Sequence, residues 1–208
     1  MKNNITIITD THFGNSKCAD IRGFFMDFLV PYSKKNNSET LVITGDLLDV
    51  PLLDGMFFNK EILPVFSELS TIYKEIYIVL GNHDIENVRK TDGSIVMTLG
   101  LSPNIKVIGT SGLELKYYTE DSGEERLLWF YPYAIPSVLE GYIETQIRAR
   151  TSDSPIVLFS HLRDEFAGLL NNTSEDEMQS TNNLKGTFVN YGMTVLSGHI
   201  HSDITYAC

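Results

Sequence analysis

The stretch Gly81-Asn82-His83-Asp84 places an amide, an imidazole and a carboxylate directly behind the apolar run Ile76-Tyr77-Ile78-Val79-Leu80. The run is β-branched and aromatic and predicts a buried strand. The polar residues then leave the sheet at its edge, where open α/β sheets bind ligands. Asn, His and Asp held together there are costly unless something pairs with them, and a metal ion is the obvious partner. A tight Asn/Asp turn is the plain alternative. The arrangement recurs along the chain. Asp10 and His12 follow the alternating run Asn4 to Thr9, two residues apart, a spacing that on a strand aims both side chains the same way. Gly45-Asp46 follows Leu41-Val42-Ile43-Thr44, with Asp49 close behind. Ser160-His161 follows Ile156 to Phe159, and Ser197-Gly198-His199-Ile200-His201 follows Met193 to Leu196.

The chain has five histidines, His12, His83, His161, His199 and His201. Each stands at or just past the end of a predicted strand. Any one of them reads as a satisfied structural residue. Five, joined by Asp10, Asp46 and Asn82, are hard to explain that way. Two divalent metals sharing a carboxylate would account for all of them. A bridging Asp lets two cations sit about 3.5–4 Å apart, the arrangement that hydrolyses phosphate esters. Mixed imidazole and carboxylate ligands suit manganese, iron or zinc better than calcium or magnesium. Two divalent ions are therefore expected, manganese first, with iron, zinc or magnesium as alternatives.

Elements must bring these residues together. Equal intervals of 36 residues separate Asp10 from Asp46 and Asp46 from Asn82. Each holds a strand, a helix and a return strand, the size of a βαβ unit. Right-handed crossovers place the three strand ends on one edge of a parallel sheet, where Asp10, His12, Asp46, Asn82 and His83 converge. The first helix is expected over Ala19 to Lys35, ended or kinked by Pro31, and the second over Leu52 to Ser70 with a break near Pro64. Ile105 to Ile108, Leu113 to Thr119 and Leu127 to Tyr133 read as three further strands. Asp121-Ser122-Gly123-Glu124 reads as a hairpin turn, and the second half as antiparallel. Pro136 to Arg150 reads as a helix with Pro136 in its first turn. Arg89 and Lys90 read as a solvated loop ahead of a phosphate-steering role. The segment Arg163 to Tyr191, with its acidic portion 171–183, reads as a solvated loop that would otherwise form a wall of the cleft.

The 208 residues, 42% hydrophobic and 21% charged, fit one soluble domain of 1–208 with a sizeable core. No apolar run is long enough for a bilayer, the N-terminus is not a signal peptide, and Cys18 and Cys208 make no disulfide framework. A cytoplasmic location is expected, or the host cytoplasm if the chain is phage-encoded, with no membrane partner. A free-standing nucleic-acid binder usually carries a basic surface, whereas the net charge here is −11.

Asp10-x-His12, Gly45-Asp46, Gly81-Asn82-His83-Asp84, His161 and Gly198-His199-x-His201 together resemble the calcineurin-like metallophosphoesterase superfamily, in the family's order and over nearly the whole chain. The resemblance implies an α/β fold, a four-layer α/β/β/α sandwich with mixed sheets. It implies Asp10, His12 and His201 as ligands of one metal, Asn82, His161 and His199 as ligands of the other, and Asp46 as the bridge. His83 then stabilises the attacked phosphate or protonates the leaving oxygen, and Asp84 orients it. Hydrolysis by a hydroxide held between the metals is implied as well. Within the superfamily, Thr9 to Gly14, Gly45 to Asp49 and the Pro132 segment are similar to SbcD-type nucleases of double-strand break repair, phage recombination subunits included. That points to DNA as substrate, an SMC-like ATPase as partner and a possible homodimer. Two departures stand against it: the acidic balance, and an end seven residues after His201. The family's last strands and the capping and ATPase-docking region would follow there. A stand-alone phosphatase or phosphodiesterase for a small phosphorylated metabolite is the competing expectation. A non-catalytic scaffold would be expected to lack ligands or His83, and this chain keeps them.

Overall fold

The computed structural model describes residues 4–15, 20–49, 55–85, 95–109, 111–118, 123–162 and 175–198. Its first sheet has the order β1-β2-β3-β4, formed by Asn4–Ile8, Ser38–Thr44, Glu75–Val79 and Ile105–Ile108, all parallel. The second has the order β5-β6-β7-β8, formed by Leu113–Tyr118, Glu125–Tyr131, Ile156–His161 and Thr194–Gly198. Here only the β5–β6 pair is antiparallel. The expected antiparallel second half therefore reduces to one hairpin. β4 joins the first sheet, because the residues 95–104 between β3 and β4 carry a 3₁₀ turn over Ile95–Leu101 that returns the chain in the parallel sense. Of the expected hairpin turn, Asp121 and Ser122 lie outside the described residues, and Gly123 has φ +66°.

Alternation along the strands builds the layers. In β2, Leu41 and Ile43 face the helices while Val42 faces the other sheet; in β3 the split is Ile76 and Ile78 against Tyr77 and Val79. In β6 and β7, Leu127, Trp129, Ile156 and Leu158 turn outward, and Leu128, Phe130 and Phe159 turn inward. The seam between the sheets is aromatic. Phe130 stacks on Tyr77 at 4.8 Å and on Phe159 at 4.9 Å between ring centroids. Helices α1 (21–35) and α2 (55–72) cover the first sheet, and α3 (Pro136–Ala149) and α4 (Glu175–Asn190) cover the second. The result is an α/β/β/α sandwich.

Neither proline ends its helix. In α1 the π-helical stretch Phe24–Leu29 runs into Val30–Lys35, and in α2 Phe58–Ile62 runs into Leu63–Ile72. Val30 N–H bonds Phe25 O and Leu63 N–H bonds Phe58 O, both across the wider π turn. Pro31 and Pro64 come next. The wide turn displaces the carbonyl that a proline ring would otherwise strike, so the helix continues. The expected irregular segment after Arg163 is helical over Glu175–Asn190. Thr181, Leu184, Thr187 and Phe188 are buried at helical spacing on α4 and outweigh its polar composition. Residues 163–174 lie outside the described residues, as do Arg89 and Lys90.

Phe130 is fully buried between the sheets. Phe130→Ala should cost about 3–5 kcal/mol and lower the melting temperature by about 2–4 °C for each of them, read by thermal unfolding.

Candidate metal centre

The ends of β1, β2 and β3 meet the ends of β7 and β8 at one edge of the sandwich. Asp10, His12 and Asp46 have φ of 51°, 44° and 49°. This is the left-handed region, which Asp and His tolerate better than most residues but at a cost. Asp10 and His12 therefore converge through a left-handed turn and not through strand alternation. The two loops stay paired beyond the sheet: Asp10 N–H donates to Gly45 O, His12 N–H to Asp46 O, Phe13 N–H to Leu47 O, and Asp49 N–H to Phe13 O. Gly45, at φ +93°, has no room for a side chain, because a Cβ would collide with the His161 ring. At Gly81 a Cβ would collide with Asp46. Both glycines let the strand ends close on the site.

Asp46 is the hub. Its Oδ1 accepts the backbone N–H of His83 at 3.1 Å. Its Oδ2 faces three imidazole nitrogens: Nε2 of His161 at 3.3 Å, of His12 at 3.8 Å and of His83 at 3.9 Å. Burial works against the Asp46 charge, yet His161 and His83 more than offset it and hold its pKa below the ordinary carboxylate value. His161 is fully buried. Its Nδ1 lies 2.9 Å from Thr44 O, which only accepts, so Nδ1 carries the hydrogen. Nε2 is left facing Asn82 Oδ1 at 3.1 Å and Asp46 Oδ2. A lone pair aimed at two oxygens is stable only with positive charge between them, either a proton or a cation. With no cation, burial disfavours the imidazolium, but Asp46 and the Thr44 carbonyl outweigh it and raise the His161 pKa.

Asp49 was noted in the sequence without a role. Its Oδ1 lies 3.4 Å from Nδ1 of both His12 and His83, whose rings meet edge to face at 5.0 Å. One carboxylate thus stands behind both rings, near each Nδ1 but without hydrogen-bond geometry to either. The spacing of Gly45-Asp46 and Asp49 was the available signal. Asp84, expected to orient His83, does not touch that ring. Its carboxylate is fully buried and accepts backbone N–H groups from Gly81 at 2.9 Å, Leu48 at 3.0 Å and Leu47 at 3.2 Å. Burial pushes its pKa up to about 6, against those bonds and with a contribution from Asp46. Asp84 ties the β2 exit to the β3 exit and so holds His83 through the backbone.

The structure brings together Asp10, His12, Asp46, Asn82, His83 and His161. His199 and His201 lie outside the described residues. Two groups have ligand atoms within 4.8 Å of one another, His12 with Asp46 and His83, and Asp10 with Asp46 and His161. Asp46 is common to both, as a bridge requires. The donor set fits divalent cations, since it is mixed imidazole and carboxylate, largely buried, and has the His161 tautomer fixed from behind by Thr44 O. His83, outside the ligand set that the resemblance implies, stands within one of the groups.

A two-sheet sandwich with such a cluster at its strand ends has the donors of a divalent-metal site. The family model described as calcineurin-like phosphoesterase matches residues 4–203, and the chain belongs to that family. No curated protein matches. Among solved structures, the chain is similar to a phosphopantetheinyl hydrolase (PptH) from Mycobacterium tuberculosis. Identity is 12%, over 97% of this chain and 84% of that one, with a TM-score of 0.49. It is also similar to GAP50, the anchor in the inner membrane complex of Plasmodium. Identity is again 12%, over 94% of this chain and 65% of that one, with a TM-score of 0.54. The second likeness supports the fold alone. Among the described residues no helix is long and apolar enough to cross a membrane.

Two outcomes are expected. Asp84→Ala strands three backbone N–H groups and should destabilise the protein by on the order of 3 kcal/mol while weakening metal uptake, read by thermal melts and calorimetry. Because the His161 pKa is raised in the metal-free protein, a proton competes with a cation for Nε2 above the ordinary imidazole range. Manganese affinity should therefore rise with pH through that range and level off above the raised pKa. His161→Gln should flatten the profile, measured by titration calorimetry at a series of pH values.

Proposed function

We propose that this phosphoesterase is a nuclease similar to the SbcD type, hydrolysing DNA phosphodiester bonds with two divalent ions, manganese first, beside an SMC-like ATPase. The observation that carries the hydrolytic part is Asp46 Oδ2 facing three imidazole nitrogens within 4 Å. The nuclease part is supported by the likeness of Thr9 to Gly14 and Gly45 to Asp49 to that branch.

Asp10, His12, Asp46, Asn82 and His161 would hold the ions, joined by His199 and His201. Bound divalent cations supply Lewis acidity, which activates water and neutralises charge on the phosphate oxygens. The remaining work falls to the chain. The His83 side chain is 33% exposed, against 7% for His12 and 0% for His161. It is the imidazole of the three that a substrate can reach. Its Nε2 faces the cluster 3.9 Å from Asp46 Oδ2, the side from which a ring nitrogen can give a proton to the leaving oxygen. Asp84 and the His83 N–H bond to Asp46 keep that ring in register with the ligands.

His83→Gln should lower kcat about 10²–10⁴-fold on esters with a poor leaving group, with much less effect on a nitrophenyl ester, whose leaving group needs no proton. Metal content by atomic emission should stay that of the parent. A fall in metal content would instead make His83 a ligand.

The net charge of −11 favours a second reading, turnover of a small phosphorylated metabolite. Manganese-loaded protein, alone and with its ATPase, set against linear and circular single strands, duplex ends and a nucleotide panel separates the two. Cleavage of the oligonucleotides is the expected result. Turnover confined to nucleotides would replace the nuclease reading with the metabolite one.

A further inference from the structure

Tyr133 stands at the rim of the metal centre, and the hydrolytic chemistry described above does not use it. It lies just past the end of β6, whose last residue, Tyr131, pairs in register with Ser160 of β7. The Tyr133 ring comes within 6.2 Å of the His161 ring, centroid to centroid, at an interplanar angle of 58°. At that angle the two rings meet obliquely and not face to face, and Tyr133 is only partly buried. The backbone beneath the ring is held firmly. Tyr133 N–H donates to Leu80 O at 2.8 Å, directly before Gly81-Asn82-His83, and Leu80 N–H donates to Ile108 O at 3.0 Å. Pro132, which is buried, precedes Tyr133, and Pro136 opens α3 soon after it. Proline fixes φ on both sides, so the segment has little freedom to swing the ring away from the centre.

We propose that Tyr133 determines specificity at this site, its ring stacking on the nucleobase of the nucleoside that keeps the phosphate. The ring borders His161, which with Asp10 and Asp46 forms one of the two ligand groups, while His83, the proton donor to the leaving oxygen, belongs to the other. It therefore flanks the side on which the retained part of the substrate lies. A partly open aromatic face, fixed beside a ligand imidazole, suits a flat ring, and stacking of this kind accepts any base. Tyr also offers that face at low entropic cost, having few rotatable bonds. A chain of net charge −11 draws a phosphate little at long range. Grip beyond the ions must then come from short-range, uncharged contact. The inference rests on the hydrolytic reading of the centre given above, and it holds for an oligonucleotide and for a nucleotide metabolite alike.

Steady-state kinetics of the manganese-loaded full chain on two esters tests this. The nitrophenyl ester of thymidine monophosphate and methyl nitrophenyl phosphate share a leaving group and differ only in the group retained on phosphorus. The expected result is a KM for the thymidine ester about tenfold or more below that for the methyl ester. Tyr133→Leu should close most of that gap by raising the thymidine KM with little change in kcat, and Tyr133→Phe, which keeps the ring, should preserve it. Thermal melts and manganese content by atomic emission, both matching the parent, would show that the variants fold and still hold their ions. Equal KM values for the two esters in the parent, a gap that survives Tyr133→Leu, or a gap lost in Tyr133→Phe would each overturn the proposal. So would a loss of manganese in Tyr133→Leu, which would make the ring a support for His161 instead. If the parent hydrolyses neither ester, the hydrolytic reading itself fails and this inference falls with it.

Discussion

Oδ2 of Asp46 has three imidazole Nε2 atoms within 4 Å, and the one from His161, whose hydrogen the Thr44 carbonyl holds on Nδ1, cannot rest there without positive charge between the two atoms. The rest of the site follows from this constraint. The Thr44 carbonyl sits behind His161 and fixes its hydrogen on Nδ1, so Nε2 presents a lone pair, while the Asp49 carboxylate stands 3.4 Å behind the other two rings. Asp46 gives its other oxygen to the His83 N–H and so cannot rotate away. The arrangement is prepared for cations by groups that would not themselves contact them.

Holding it requires backbone that the chain would not otherwise adopt. Left-handed conformations at Asp10, His12 and Asp46 cost on the order of 1–3 kcal/mol each. They persist because the β1 and β2 exits remain laddered through Phe13 and Leu47, and because the Asp84 carboxylate closes the β2 exit onto the β3 exit. The aromatic seam of Tyr77, Phe130 and Phe159 fixes the spacing of the two sheets, and with it the reach of His161 across to Thr44.

Much of this was legible in the sequence because strands announce themselves locally. β-Branched runs located β1, β3, β4 and β7 to within a residue or two and found β2 without its first three residues, and the equal intervals from Asp10 to Asp46 and Asn82 implied parallel crossovers. What was not legible depended on tertiary context. Nothing local says that β4 joins β3 and not β5. Pro31 and Pro64 read as breaks because a π turn leaves no mark in composition. Helix α4 hid behind polar residues, since only Leu184 and Phe188 reach the core from its second half. The roles of the acids were the least accessible. Asp84, next to His83 in the chain, faces backbone, while Asp49, far from it in the chain, faces the ring, a distinction decided by how two loops fold over each other.

His161 belongs to β7 and Thr44 to β2, so a single imidazole couples the two halves of the sandwich at the very rim where the carboxylates gather. Any sliding of one sheet over the other would be felt there as a change in the pocket's aperture. A ligand gripping both sides acts as a clasp on the molecule's two halves, and the rigidity of the whole domain becomes a property that occupancy of its chemical centre can tune.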